Sequence, residues 1–487
     1  MAWNRKKALK DVTISAFSQY AVLAIVVLRG FLFTKYLGPE GFGVWVSVYF
    51  FFTFGQYCHL GLYNSVVFLA PDSIGKGKTE ETNKMLSSAI TWINLFGLIF
   101  ILTIVSIIFS GLFPFVNSNR LSVLLAAVSA FLVLNFNFSV YRLQLKQNFK
   151  KAGLFQVLLA VTDIIISFIL MMKYGLPGAY IGMAISLIIF VALIAIDGYN
   201  DLHICFDKPQ FKKLFDIGFR VLFVSLGFAV LTLSDKLSVT SFFSITDMGY
   251  FSNAVSLAML PYTLALVLSG ITTQRMLEEY GRTNEKKSIK IFLDESIFAV
   301  AFLIPFFSVL LIAFAEPVIN LLLPKYVNSL RFVDKLSVGV YFLAVSMSCY
   351  SFLLILKKYF LLFSMMIVLI VMVFITNSYL AGTGYDVLSV SYVTVICYSL
   401  FAFLLYYFSY SAFYSFKKIT WMFFRLSLPV IPILLAFSMK FYIIDNSIRF
   451  GARFFIALVW AFFAYFYLTR KTTILSQLIG MVKGKII

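Results

Sequence analysis

Charge is what this sequence has least of. Lys, Arg, Asp and Glu together make up 13% of its 487 residues while 61% are hydrophobic, and the mean hydropathy is +0.94. Soluble domains carry about 25% charged residues, so the chain reads as an integral membrane protein. Cysteine is scarce as well. Cys58, Cys205, Cys349 and Cys397 stand far apart with no C-x-x-C pair, which argues against a disulfide framework or a thiolate metal site. No metal and no cofactor are expected. A cleavage pattern of small residues is missing after the first apolar run, so the basic start MAWNRKKALK should lead into a retained anchor. A phosphate-cradling loop is missing too: in PDSIGKGKTEETNK the residue five before Gly77 is Asp72, and a membrane helix precedes it.

Apolar length is what the chain does have. A spanning helix needs ~20 apolar residues, and fourteen runs meet that length, from 12–33 and 42–69 to 421–443 and 450–469. An all-α membrane protein with both termini on one side follows. Basic clusters choose the side: Arg5, Lys6, Lys7 and Lys10; Arg142, Lys146, Lys150 and Lys151; Arg275, Arg282, Lys286, Lys287 and Lys290 all fall together if the N-terminus is cytoplasmic. The net charge of +19 is then a topology signal and a contact with anionic membrane lipid. No nucleic-acid partner is expected.

The chain also repeats. At an offset of 206 residues Arg29 falls on Asp235, Leu37 on Phe243, Gly43 on Gly249 and Lys84 on Lys290. Helix boundaries follow the same offset from 11–198 onto 217–404. The expected organisation is a cytoplasmic N-terminus (1–11), a six-helix lobe (12–198), a cytoplasmic linker (199–213), a second six-helix lobe (214–410), two added helices (411–469) and a cytoplasmic tail (470–487). Six helices is an even number, so the lobes should be parallel repeats, a plan in which transporters place substrate near the midplane between halves. The loop that holds Gly77 lacks the G-x-x-x-D-R-x-G-R signature of the major facilitators, which share that plan.

The stretch Arg29 to Gly43, R-x-x-x-x-x-x-YLGPEGFG, and its echo SDKLSVTSFFSITDMGYFSNA (234–254) resemble the O-antigen (Wzx-like) polysaccharide flippases of the multidrug and oligosaccharidyl-lipid exporter superfamily. The resemblance covers about residues 11–404. It implies a MATE-like fold in the bacterial inner membrane and a polyprenyl-diphosphate-linked oligosaccharide as substrate. A polysaccharide polymerase and a chain-length regulator are the implied protein partners.

Residue by residue, the candidates are intramembrane polar groups. Three roles fit Arg29: a snorkelling cation, a grip on a diphosphate, or one half of an outer gate with Asp235, its repeat equivalent. Arg220 is a second candidate for the diphosphate, since a guanidinium fork matches phosphate oxygens. Asp163 lies mid-helix, where a carboxylate is expensive, and shares a face with Gln156 and Ser167. His59 follows Gln56 and precedes Tyr63 on one face of the second run. Asp163 and His59 are the candidates for proton or sodium coupling, and Gln56 and Asn94, the latter in line with Ser87 and Thr91, are candidate cavity residues. Gly38-Pro39 should end the first helix, and Gly41 and Gly43 should let the chain reverse. The expected activity is alternating-access flipping without enzymatic chemistry. Two rivals remain: a drug or small-solute exporter of the same superfamily, and a membrane polymerase. The longest outer segment, EPVINLLLPKYVNSLRFV, is short for a polymerase and holds one carboxylate.

Overall fold

The computed structural model describes residues 5–198, 203–443 and 445–471. These contain helices and no strand. Most of the expected tail, from residue 472, lies outside the described residues. Contacts divide the chain into two compact units, Met1–Leu226 and Gly227–Ile487.

The first unit holds α1 (Arg5–Gly55), α2 (Leu62–Gly75), α3 (Thr79–Ser110), the short α4 (Pro114–Ser118), α5 (Arg120–Leu145), α6 (Phe149–Tyr174) and α7 (Leu176–Gly198), and it ends inside α8 (Lys208–Phe242). α1 is two helices. Gly38 sits at φ 67°, ψ 177°, a backbone state that side chains beyond glycine rarely adopt, and Pro39 restarts the helix because its missing N–H costs nothing there. Sixteen residues of straight helix would put Arg29 and Trp45 about 24 Å apart, yet the Arg29 guanidinium carbon lies 5.4 Å from the Trp45 ring centroid. The chain therefore doubles back at Gly38. Gly41 and Gly43, expected to help the reversal, are ordinary helical residues.

The expected second run does not continue through 42–69. It stops at Gly55, turns over residues 56–61, and resumes as α2, with Leu60 and Gly61 in the left-handed region at φ 48° and 87°. This turn is seated against α8. A methyl at Gly218 would overlap the Gly61 carbonyl oxygen and Ser65 Oγ, and Ser65 Oγ also donates to the Leu214 carbonyl. Leu62, Val66, Leu86, Ile90, Phe138 and Leu214 fill the core behind it. Overpacking of this kind costs ~1–3 kcal/mol, occasionally more. Gly218→Ala is thus expected to lower the melting temperature of the purified protein measurably, and an unchanged melting curve would show that the approach is not tight.

The second unit continues with the rest of α8, then α9 (Ile245–Ala258), α10 (Leu260–Thr283), α11 (Lys286–Leu322), α12 (Leu330–Ile355), α13 (Tyr359–Gly382), α14 (Leu388–Tyr410), α15 (Phe416–Ser427), α16 (Ile431–Tyr442) and α17 (Asn446–Lys471). Its breaks echo the first. Ser244, 206 residues after Gly38, separates α8 from α9 and caps α9, its Oγ accepting the Asp247 N–H at 3.1 Å. α9 and α10 meet at Met259 with a 43° bend, as α1 and α2 meet at residues 56–61. Lys84 and Lys290, equivalent at the same offset, each hold the segment that follows the sixth helix of their repeat: Lys84 Nζ is 2.9 Å from Asp207 Oδ2, and Lys290 Nζ donates to the Tyr414 hydroxyl at 2.8 Å. The Gln210 backbone N–H and the Lys84 ammonium together hold the Asp207 carboxyl below the usual carboxylate range.

Among the described residues twelve helices are long and apolar enough to cross a membrane, or thirteen if the bent pair α9–α10 forms one span. Fourteen were expected. The difference arises where apolar composition and helix continuity part company: Phe17–Gly55 counts as one stretch although it folds back at Gly38, and α2 alone is short. The outer segment 316–333 is also not a loop, because α11 runs on to Leu322 and a 3-10 turn over Pro324–Ser329 leads into α12.

Candidate functional site

Arg29 lies nine residues before the Gly38 reversal, about 14 Å along the helix, which is near the middle of a ~30 Å hydrocarbon core. It is deeper than the outer helix end where the sequence placed it. Its partner there is Asp163. Arg29 Nη1 and Asp163 Oδ2 are 2.6 Å apart, with the two side chains 14% and 13% exposed. Asp163 Oδ1 accepts from Ser167 Oγ at 2.8 Å, so the i, i+4 spacing on α6 occupies both carboxylate oxygens. A guanidinium held this way is not snorkelling. The repeat comparison pointed to Asp235 as the partner; the carboxylate that meets Arg29 belongs to α6 of its own unit.

The rest of the guanidinium is enclosed by aromatic rings. Phe33, one turn along α1, is 5.0 Å from the Arg29 carbon, and Trp45 comes from beyond the reversal. Trp45 packs edge-on to Phe33 at 5.0 Å and stacks on Tyr180 at 4.4 Å, while the Tyr180 hydroxyl donates to the Trp45 carbonyl at 2.9 Å. Cation–π contacts of this kind stabilise a desolvated cation by about 2 kcal/mol or more. The hydrogen-bonding capacity of Arg29 is not exhausted. Among the described residues Nη2 reaches only the Met183 sulfur, at 3.7 Å, and Nε is buried without a hydrogen bond. A guanidinium has five N–H donors, so this one can take further anionic oxygens without giving up Asp163.

The other candidates lie elsewhere. Gln56 and His59 are in the turn 56–61, where His59 is buried and its Nδ1 accepts the Gly61 N–H at 2.9 Å. Ser87 and Thr91 of α3 fasten the linker: the hydroxyls accept the His203 and Cys205 N–H groups at 3.4 and 3.0 Å. Asn94, next on that face, keeps a buried Oδ1 without a partner. Arg220 is exposed on α8. In the second unit Asp235 is 2% exposed; its Oδ1 accepts the Lys236 N–H at 2.6 Å, and the Thr394 side chain and the Lys236 ammonium are the groups that act on the carboxylate. Lys236, a half-buried cation in the same span, escaped the sequence analysis although SDKL interrupts an apolar run. The aromatic enclosure escaped it too, since Trp45 and Tyr180 look like ordinary membrane aromatics until the reversal brings them to Arg29. Among the described residues no group of three or more His, Cys, Asp and Glu is arranged to hold a metal ion.

An ion pair within apolar helices, hairpin-linked helices and breaks that recur 206 residues apart define an all-helical, repeat-built membrane fold. Solved structures with the same fold are a lipid II flippase, MurJ, in an inward closed conformation (TM-score 0.71, 20% identity, 94% of this chain and 99% of that one) and an inward-facing multidrug resistance MATE family transporter of the MOP superfamily (0.66, 17%, 80% and 94%). A MOP superfamily transporter from Pyrococcus furiosus is similar at 0.61, with 16% identity over 83% of this chain and 95% of that one. No curated protein sequence matches significantly. Residues 32–331 match the family model described as polysaccharide biosynthesis protein, and the chain belongs to that family.

Proposed function

We propose that the protein flips a polyprenyl-diphosphate-linked oligosaccharide across the bacterial inner membrane by alternating access, with both termini cytoplasmic, during surface polysaccharide biosynthesis. Family membership and fold support the class. The observation that carries the substrate is Arg29: a mid-membrane guanidinium, paired with Asp163 and enclosed by aromatics, with buried donor capacity unspent. Asp163 fixes the fork, and a diphosphate supplies the oxygens that Nε and Nη2 lack. The broken second spans fit the same reading, because interrupted helices at corresponding places in two halves mark binding sites in repeat-built transporters. A polymerase and a chain-length regulator would be its working partners.

The test is flipping in proteoliposomes loaded with a fluorescent polyprenyl-diphosphate oligosaccharide, scored by accessibility to an impermeant quencher. Wild type is expected to expose the inner-leaflet pool, and Arg29→Gln to be at least tenfold slower, the rate equivalent of ~1.4 kcal/mol. Transport of an organic cation without movement of the lipid-linked sugar would transfer the protein to the drug-exporter class.

A further inference from the structure

The second unit contains a cavity of about 720 Å³ bounded by α11, α14, α15, α16 and α17. Its walls are apolar, with Phe298, Phe302, Leu435, Val459 and Phe463 among them. Two charged groups break that surface. Asp294 is already satisfied, by Lys290 Nζ at 3.4 Å and by the Tyr410 hydroxyl. Arg425 is not: among the described residues it has neither an ion pair nor a hydrogen bond, and its guanidinium carbon lies 3.1 Å above the Trp421 ring.

Position makes this cation informative. Arg425 is nine residues into α15, about 14 Å from the helix start, inside a stretch, Phe416–Lys440, apolar enough to span. A cation at such depth is unfavourable unless it reaches an anion or the interface. By stacking on Trp421, four residues back, Arg425 leans toward the start of α15, where Lys417 and Lys418 are exposed and Lys418 rests on Tyr414 at 4.1 Å. Lys418, Trp421 and Arg425 thus form a basic ladder on one helix face. Phe416, Trp421 and Phe424 on the same helix are exposed, as are Phe455, Val459 and Phe463 on the cavity wall, so the groove is reached sideways from the bilayer. Apolar volume below a cationic ladder complements a lipid with acyl chains and an anionic phosphate. Bulk lipid is also the ligand present at the highest concentration along that approach.

We propose that this groove is a binding site for an anionic phospholipid, its acyl chain between α11, α16 and α17 and its phosphate held by Arg425 and Lys418. The proposal does not depend on the substrate proposed above.

The full-length protein in neutral detergent is titrated with phosphatidylglycerol or phosphatidylcholine while its melting temperature is followed, and retained lipid is counted by native mass spectrometry. Phosphatidylglycerol should stabilise and stay bound, and phosphatidylcholine should do neither. Arg425→Gln should weaken the phosphatidylglycerol midpoint about tenfold, Lys418→Gln less, and Lys173→Gln, on α6, not at all. If Arg425→Gln fails to fold, the Lys418→Gln and Lys417→Gln variants carry the comparison. Equal shifts by both lipids, or an unaltered midpoint in the ladder variants, overturn the proposal. So does displacement of phosphatidylglycerol by equimolar polyprenyl phosphate, which would assign the groove to an isoprenoid lipid.

Discussion

Asp163→Ala is expected to lower the melting temperature by several degrees and to reduce flipping to under a tenth of wild type. The pair it breaks is short, 2.6 Å, and nearly buried. Removing one partner of a buried pair costs ~3–5 kcal/mol because the other charge is left uncompensated; the residual exposure of both side chains puts this case toward the lower end. Loss of stability alone would not reveal a transport role, so the informative variant is the double exchange Arg29→Met with Asp163→Leu. Replacing a buried ion pair by apolar residues of similar volume is often neutral or stabilising. The double variant should therefore melt near wild type while its flipping stays lost. Wild-type flipping from that variant would reduce Arg29 and Asp163 to a structural staple.

Asp163 also shows how far the sequence could be read. Its depth, its i+4 neighbour Ser167 and the oddity of Arg29 were all visible in one dimension, because each is a statement about position along a single helix. Their meeting was not, since it depends on α1 packing against α6. The repeat led to Asp235 instead for an understandable reason: equivalence between repeats says that two residues hold the same place in their own units, which is not a statement of contact. The reversal at Gly38-Pro39 was legible because proline and positive φ have strict residue requirements. The break at residues 56–61 was not, since GQYCHLGL is apolar enough for a hydropathy window to run through it, and only the φ of Leu60 and Gly61 exposes the turn. Ser87 and Thr91 were read as sharing a cavity-lining face with Asn94; their hydroxyls accept linker amides, and no periodicity encodes those partners.

The other large effect is expected at Glu316, the lone carboxylate of the supposed outer loop. It lies within α11 and holds two arginines of α17 at once: Arg449 Nη1 is 2.7 Å from Oε1, and Arg453 Nη1 is 3.0 Å from Oε2. Arg453 is only 3% exposed and also donates to the Ala436 carbonyl at 3.1 Å, so the same triad ties in α16. Further along, Trp460 Nε1 donates to the Phe302 carbonyl at 2.9 Å and the two rings stack at 5.6 Å. Apolar and indole contacts thus fasten α17 to α11 without Glu316, but they cannot neutralise two guanidinium groups. Glu316→Ala leaves both charges in place with no carboxylate between them, and the ~3–5 kcal/mol of a broken buried pair is the expected loss. The melting temperature should fall by more than in Gly218→Ala, and Arg449→Met with Arg453→Leu added to Glu316→Ala should restore most of it. If Glu316→Ala melts like wild type, the docking of α17 rests on its ring contacts with α11, Trp460 and Tyr467 on Phe302 and Phe450 on Phe314, rather than on the triad.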